Sequence, residues 1–159
     1  TRLQVEHPVT EMVTGQDIVA MQIRHALGQN VMASQDAIKP SGHAIELRIC
    51  AEIPEKQFIP SPGRIDAMYL PRMESLRIDT GFESGDTITP FYDSLIMKMI
   101  GHGETRADAI RMLRAAVAET RIEGIQTNLA FLGRLLAHPD FAADRLHTRF
   151  IETHVSELT

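Results

Sequence analysis

Polar and apolar positions alternate from the first residues of the chain. Arg2, Gln4 and Glu6 interleave with Leu3 and Val5, the period of a half-buried strand. His7 stands before Pro8, which keeps it extended and ends regular pairing. Thr14-Gly15-Gln16-Asp17 then reads as a helix start. Ile18, Met21, Ile23, Ala26 and Leu27 supply the apolar stripe, and Gly28 supplies a stop. Residues 29–41 are mixed and read as a loop with room for one short helical turn.

Alternation returns at residues 43–51. Ile45, Leu47 and Ile49 share one face, and Glu46, Arg48 and Cys50 the other. Pro62-Gly63 suits the centre of a type II turn. Short strands are predicted at 64–70, 75–79, 86–89 and 94–100, the last of them methionine-rich and read as core. The period changes after Gly101. Thr105 and Asp108 resemble a capping box ahead of a helix to about Arg121. A second helix is predicted from Thr127 or Asn128 to His138-Pro139, and a third over 146–154. Helix, then strands, then helices predicts an α+β fold with a largely antiparallel sheet flanked by helices.

The 159 residues favour one domain with a real core. Hydrophobic residues make up 43% and charged residues 23%, an ordinary globular composition. A net charge of −5 argues against nucleic acid or an anionic membrane surface as partner. No apolar run approaches the roughly 18–20 residues of a membrane span. Cys50 is the only cysteine, so an intrachain disulfide is excluded and a reducing compartment is expected.

Chemistry concentrates at the start. On a strand, Arg2, Gln4 and Glu6 would point one way, roughly 6–7 Å apart. A guanidinium, an amide and a carboxylate in a row can hold a small oxyanion and take a proton from it. Spacing alone points first to a solvated strand face with a weak surface ion pair. Arg48, on the polar face of an apolar strand, fits either a site residue or an arginine that snorkels or pairs with its neighbour. The seven histidines show no metal-ligand spacing. Gly101-His-Gly-Glu-Thr105 lacks the lysine of a phosphate loop, and no G-x-S-x-G elbow supports a hydrolase.

As a string, TRLQVEHPVTE followed by TGQD resembles the biotin carboxylase family of ATP-grasp enzymes. GHAIELRICAE at 42–52, FIPSPG at 58–63, YDSLIMK at 92–98 and IEGIQTN at 122–128 follow in the family's order. The resemblance covers essentially the whole chain. It implies a ligase reaction in which ATP, bicarbonate and carrier-bound biotin give ADP, phosphate and carboxybiotin through carboxyphosphate. It implies that Arg2 holds bicarbonate and orients the carboxylated intermediate. Gln4 and the backbone of Val5 would complete that site. Glu6 would be the base that deprotonates bicarbonate, and Arg48 would stabilise the enolate-like ureido oxygen of biotin. Arg77 and Asp93 would lie near the family's dimer contact. One tension follows: a guanidinium beside a carboxylate favours its charged form and weakens it as a base. Arg2 also acidifies bound bicarbonate, so both sides of the transfer shift together.

The resemblance further implies that residues 1–12 are the last strand and loop of the ATP-grasp active site, and 13–159 the C-terminal domain. The family's metal ligands would fall just before Thr1. The parent would use ATP, Mg2+ and biotin, whereas the chain alone is expected to bind neither nucleotide nor metal and to be catalytically silent. Implied partners are a biotin carboxyl carrier domain or protein, a carboxyltransferase subunit or domain, and a second copy in a homodimer. Bacterial cytoplasm or mitochondrial matrix would be the location. The rival expectation is a non-enzymatic module for dimerisation or carrier docking, with the N-terminal row a remnant.

Overall fold

The computed structural model describes residues 2–31 and 34–159. Thr1, which opens the N-terminal string, and Met32-Ala33, inside the expected loop 29–41, lie outside them. The centre of the fold is a three-stranded antiparallel sheet made by β1 (His43–Cys50), β6 (Leu76–Thr80) and β8 (Leu95–Gly103), in the order β1-β8-β6. Strand periodicity divides its faces. Leu47 and Ile49 of β1 and Met97 and Met99 of β8 are buried on one face, beneath α3 (Arg106–Glu119) and α4 (Leu129–Ala137). Leu113 of α3 and Phe131, Leu132, Leu135 and Leu136 of α4 complete this core. Gly101 admits α3 closely, since a Cβ there would stand 2.7 Å from Leu113. Helix α3 starts as its sequence predicts, with a reciprocal Thr105–Asp108 capping box.

The other face of the sheet is charged. Arg48 lies opposite Lys98, and Lys98 opposite Asp79, in one row across the three strands. Beside that row stand Glu46 on β1 and Arg77 on β6, each opposite Ile100. Helix α1 (His7–Thr14) covers this face, and α2 (Ile18–Ala26) follows, with Asp17 as N-cap accepting from the Ala20 amide at 2.8 Å.

Several expectations are corrected. Residues 2–6 form no strand: 2–4 are irregular, Val5 and Glu6 turn, and α1 begins at His7. Five alternating residues are compatible with any extended segment, and among the described residues no neighbour offers them a ladder. Pro8 opens a helix rather than closing a strand, because its missing N–H is not needed in a first turn. Pro62-Gly63 is no turn centre: Gly63 joins β4 (Gly63–Arg64), paired with β7 (Thr87–Ile88). The expected strand 64–70 is split between β4 and β5 (Ala67–Tyr69), and β5 pairs instead with β9 (Arg121–Glu123), which follows α3. The pair β2 (Glu52–Ile53) and β3 (Ile59–Pro60) and the short α5 (Pro139–Ala142) are additional. The last helix, α6 (Phe150–Leu158), lies four residues beyond its expected place. All pairings are antiparallel, so the α+β reading with helices flanking the sheet holds.

Candidate functional site

Two clefts meet where the N-terminal segment crosses the charged face of the sheet. The first, about 420 Å³, is lined by Arg2, Gln4, Glu6 and His7, with Ile18 and Gln22 of α2 opposite. The second, about 460 Å³, is lined by Val5, Arg48, Cys50, Glu52, Asp93 and Ser94. A short ion pair joins them: Arg48 Nη2 donates to Glu6 Oε2 at 2.9 Å. Glu6 and Arg48 are thus joined, while Arg2 and Gln4 line the first cleft and Arg48 the second, and none of the N-terminal residues stands on a strand. Leu3 also lines the first cleft, so the strict alternation of faces is lost.

Arg48 is fixed from its backbone. Buried Asn128, just before α4, donates through Nδ2 to the Arg48 carbonyl at 3.0 Å. Its Oδ1 accepts the Cys50 amide at 2.9 Å, bracketing the register shift between Ile49 and Cys50. Such a bulge re-aims side chains at the end of a strand, and this one lies beside Arg48.

Val5 is held by its carbonyl, which accepts from Lys98 Nζ at 3.0 Å. That ammonium, 12% exposed, also stands 3.4 Å from Asp79. Asp79 in turn takes two bonds from Arg77, at 2.8 and 2.9 Å, and Arg77 reaches Glu11 of α1 at 2.6 Å. The second Glu11 oxygen accepts the Ile18 amide at 2.7 Å. Burial alone would raise both carboxyls. The bonds to Arg77 outweigh it, aided by Ile18 for Glu11 and Lys98 for Asp79, and both fall below the usual carboxylate range.

Glu46 behaves oppositely. Its side chain is 5% exposed, neither oxygen has a hydrogen-bond partner, and Arg48 Nε is 3.9 Å away. Burial raises its carboxyl, opposed by Lys98 and Arg48 and assisted by the negative charge of Glu6. Burial pushes the Cys50 thiol up to about 11, which disfavours its thiolate.

Arg77 is committed to partners within the chain, and Asp93 lies in the second cleft, its carboxylate accepting the Leu95 amide at 2.8 Å. Lys98, Glu46, Glu11 and Asp79 do not stand out from sequence as site residues. The available signal is period two, which puts Lys98 on the opposite face from Met97 and Met99, and Glu46 on the same face as Arg48.

A trio of His138, His154 and Glu157 also comes together, with both imidazoles 3.4 Å from the carboxylate. His138 Nδ1 accepts the Asp140 amide. Its proton is thus assigned to Nε2, which faces Glu157 as a donor and not as a metal-binding lone pair.

Residues 46–153 match the family model of the biotin carboxylase C-terminal domain. Residues 1–34 match that of the carbamoyl-phosphate synthase L chain ATP-binding domain. The chain is 45% identical to biotin carboxylase 1 of Bacillus subtilis over 97% of its length, spanning 34% of that protein. It is 43% identical to the mitochondrial methylcrotonoyl-CoA carboxylase subunit alpha of Mus musculus, over 99% of its own length and 22% of the relative's. Among solved structures, one of similar fold is the biotin carboxylase domain dimer of Hydrogenobacter thermophilus 2-oxoglutarate carboxylase. It was crystallised with MgADP, ADP and bicarbonate. The TM-score is 0.97 at 41% identity, covering all of this chain and 35% of that one. The chain thus spans about a third of the biotin carboxylases it matches. It belongs to the biotin carboxylase C-terminal domain family.

Proposed function

We propose that this chain supplies the C-terminal part of the site at which a biotin-dependent carboxylase carboxylates carrier-bound biotin, using ATP and bicarbonate. Arg2, Gln4 and the backbone of Val5 hold bicarbonate in the first cleft. Glu6 takes its proton, and Arg48 faces the ureido oxygen of biotin from the second cleft. The observation that supports this most is the 2.9 Å bond between Arg48 and Glu6 where the two clefts meet. One pair can then serve a proton transfer on one side and a developing oxyanion on the other.

The first cleft suits an anion because a guanidinium and an amide face it. The nearby acids do not suit magnesium. Glu6, Glu11 and Asp79 are each committed to an arginine, and the two acids of the second cleft accept bonds within the chain, Glu52 from Ser94 and Asp93 from the Leu95 amide, so the residues we assign to bicarbonate and biotin are Arg2, Gln4, Glu6 and Arg48. We place residues 1–12 with the ATP-grasp site and 13–159 with the C-terminal domain. By itself the chain is expected to release no ADP. A carrier, a carboxyltransferase and a second copy are the proposed partners. Bacterial cytoplasm or mitochondrial matrix is the proposed location, in keeping with bacterial and mitochondrial relatives. No helix of the described residues is long and apolar enough to cross a membrane. Phe91 and Tyr92, each 86% exposed beside Asp93, favour an assembly role alongside catalysis. A sedimentation coefficient that rises with concentration supports the homodimer, and a strict monomer refutes it.

The test is Glu6→Gln in the complete carboxylase. The expected result is a fall in kcat of about 10²–10⁴, as for a lost general base, with bicarbonate KM changed by less than about threefold. Equal losses in both would assign Glu6 to binding alone.

A further inference from the structure

Arg48 has a difficulty that its pairing with Glu6 creates. When the O–H bond of bicarbonate breaks and its proton moves to Glu6, the Glu6 carboxylate becomes neutral and Arg48 loses its 2.9 Å counter-ion. A half-exposed guanidinium on a flexible stem would then be free to swing into solvent. This happens in the part of the cycle when biotin needs it.

We propose that Glu46 is a positioning residue that holds Arg48 at the cleft from beneath once Glu6 has taken its proton. Glu46 precedes Arg48 by two residues on β1, so both side chains leave the same face of the sheet. Arg48 therefore lies between two carboxylates, Glu6 above at Nη2 and Glu46 below at Nε. Of the two, only Glu46 has a buried side chain, and both its oxygens are without hydrogen-bond partners. The other charged or titratable groups around Glu46 are Lys98 of β8, Glu6 and His7. Lys98 is already engaged by the Val5 carbonyl and Asp79. Glu46 is thus the acid whose bonding capacity is unspent. It also addresses the tension over Glu6: a guanidinium shared between two carboxylates stabilises the anion of either one less than a guanidinium held by one.

This inference rests on the reading of Arg48 as the residue facing biotin, and its test separates the two. Glu46→Gln keeps the shape and removes the charge. In the 159-residue chain, the E46Q variant should be at least as stable as the unsubstituted protein at neutral pH. A carboxyl raised by burial gives its full contribution to stability at low pH and loses it as pH rises. The advantage of E46Q should therefore shrink as pH falls through the carboxylate range. In the complete carboxylase, assayed with free biotin, E46Q should raise biotin KM about tenfold, the worth of one charge-assisted contact. Bicarbonate KM should stay within about twofold, and Glu46→Asp should recover part of the loss. A stable E46Q protein with unchanged biotin KM would overturn the proposal. So would joint loss of stability and of both KM values. Arg48→Met is the control: if it too leaves biotin KM unchanged, the reading of Arg48 itself fails. If it raises biotin KM while E46Q does not, only the role of Glu46 fails.

Discussion

Lys98 is the single charge in the run Leu95 to Ile100, and it ties the sheet to the site. Its ammonium fixes the carbonyl of Val5, the residue between Gln4 and Glu6, so it sets where both of those side chains begin. Replacing it with methionine keeps the stem and removes the donor. Lys98→Met should raise bicarbonate KM roughly tenfold and lower stability by about 1 kcal/mol, since the part-buried Val5 carbonyl loses its donor. Steady-state kinetics of the carboxylase and thermal unfolding of the chain check the two parts. At this scale the sequence is informative about Arg2, Gln4, Glu6 and Arg48, because their types and order point to an oxyanion and a proton. It is silent on Lys98 and Glu46. Period two says which face a residue takes, but not that a helix will cover that face and turn its charges into buried ones.

That covering helix is α1, and the sequence pattern does not reveal it. Arg-Leu-Gln-Val-Glu alternates well enough to pass for a strand, but a strand needs a partner. Pro8, which reads as a terminator, instead begins the helix. The stripe of α2 is legible, yet α2 buries none of its residues fully. Its helical period is correct while the burial that period normally implies is not. Docking of α1 depends on Arg77, which joins Glu11 to Asp79. Both carboxyls are depressed in the folded chain, so they contribute stability above their unfolded values. That stability is lost as pH falls through the depressed ones. Arg77→Met should lower stability at neutral pH by about 2–3 kcal/mol, less than for a fully buried pair because Arg77 is one-third exposed. It should also flatten the acid limb of the stability curve and speed hydrogen exchange in α1. A variant with an unchanged acid limb would mean that the network contributes little.

Over the whole molecule, one sheet does two jobs. Its apolar face packs α3 and α4 into a core, and its charged face carries a layer of paired ions under the N-terminal segment. The core side is largely readable in advance, because the strand periods of β1, β6 and β8 and the helical periods of α3 and α4 agree with the packing. The charged side is readable only in part. Its contacts join Glu6 to Arg48 and Val5 to Lys98, which are 42 and 93 residues apart, and no local pattern encodes such pairings. Net charge is no guide either, since the layer nearly neutralises itself. The proposed function requires Glu6 and Arg48 to act as one unit at the junction of the clefts. A double-mutant cycle in the complete carboxylase measures this, with Glu6→Gln, Arg48→Met and the double variant compared by kcat/KM for biotin. The double variant should lose little more than the worse single variant, a coupling of at least about tenfold. Losses that simply multiply would show two independent residues and contradict that requirement.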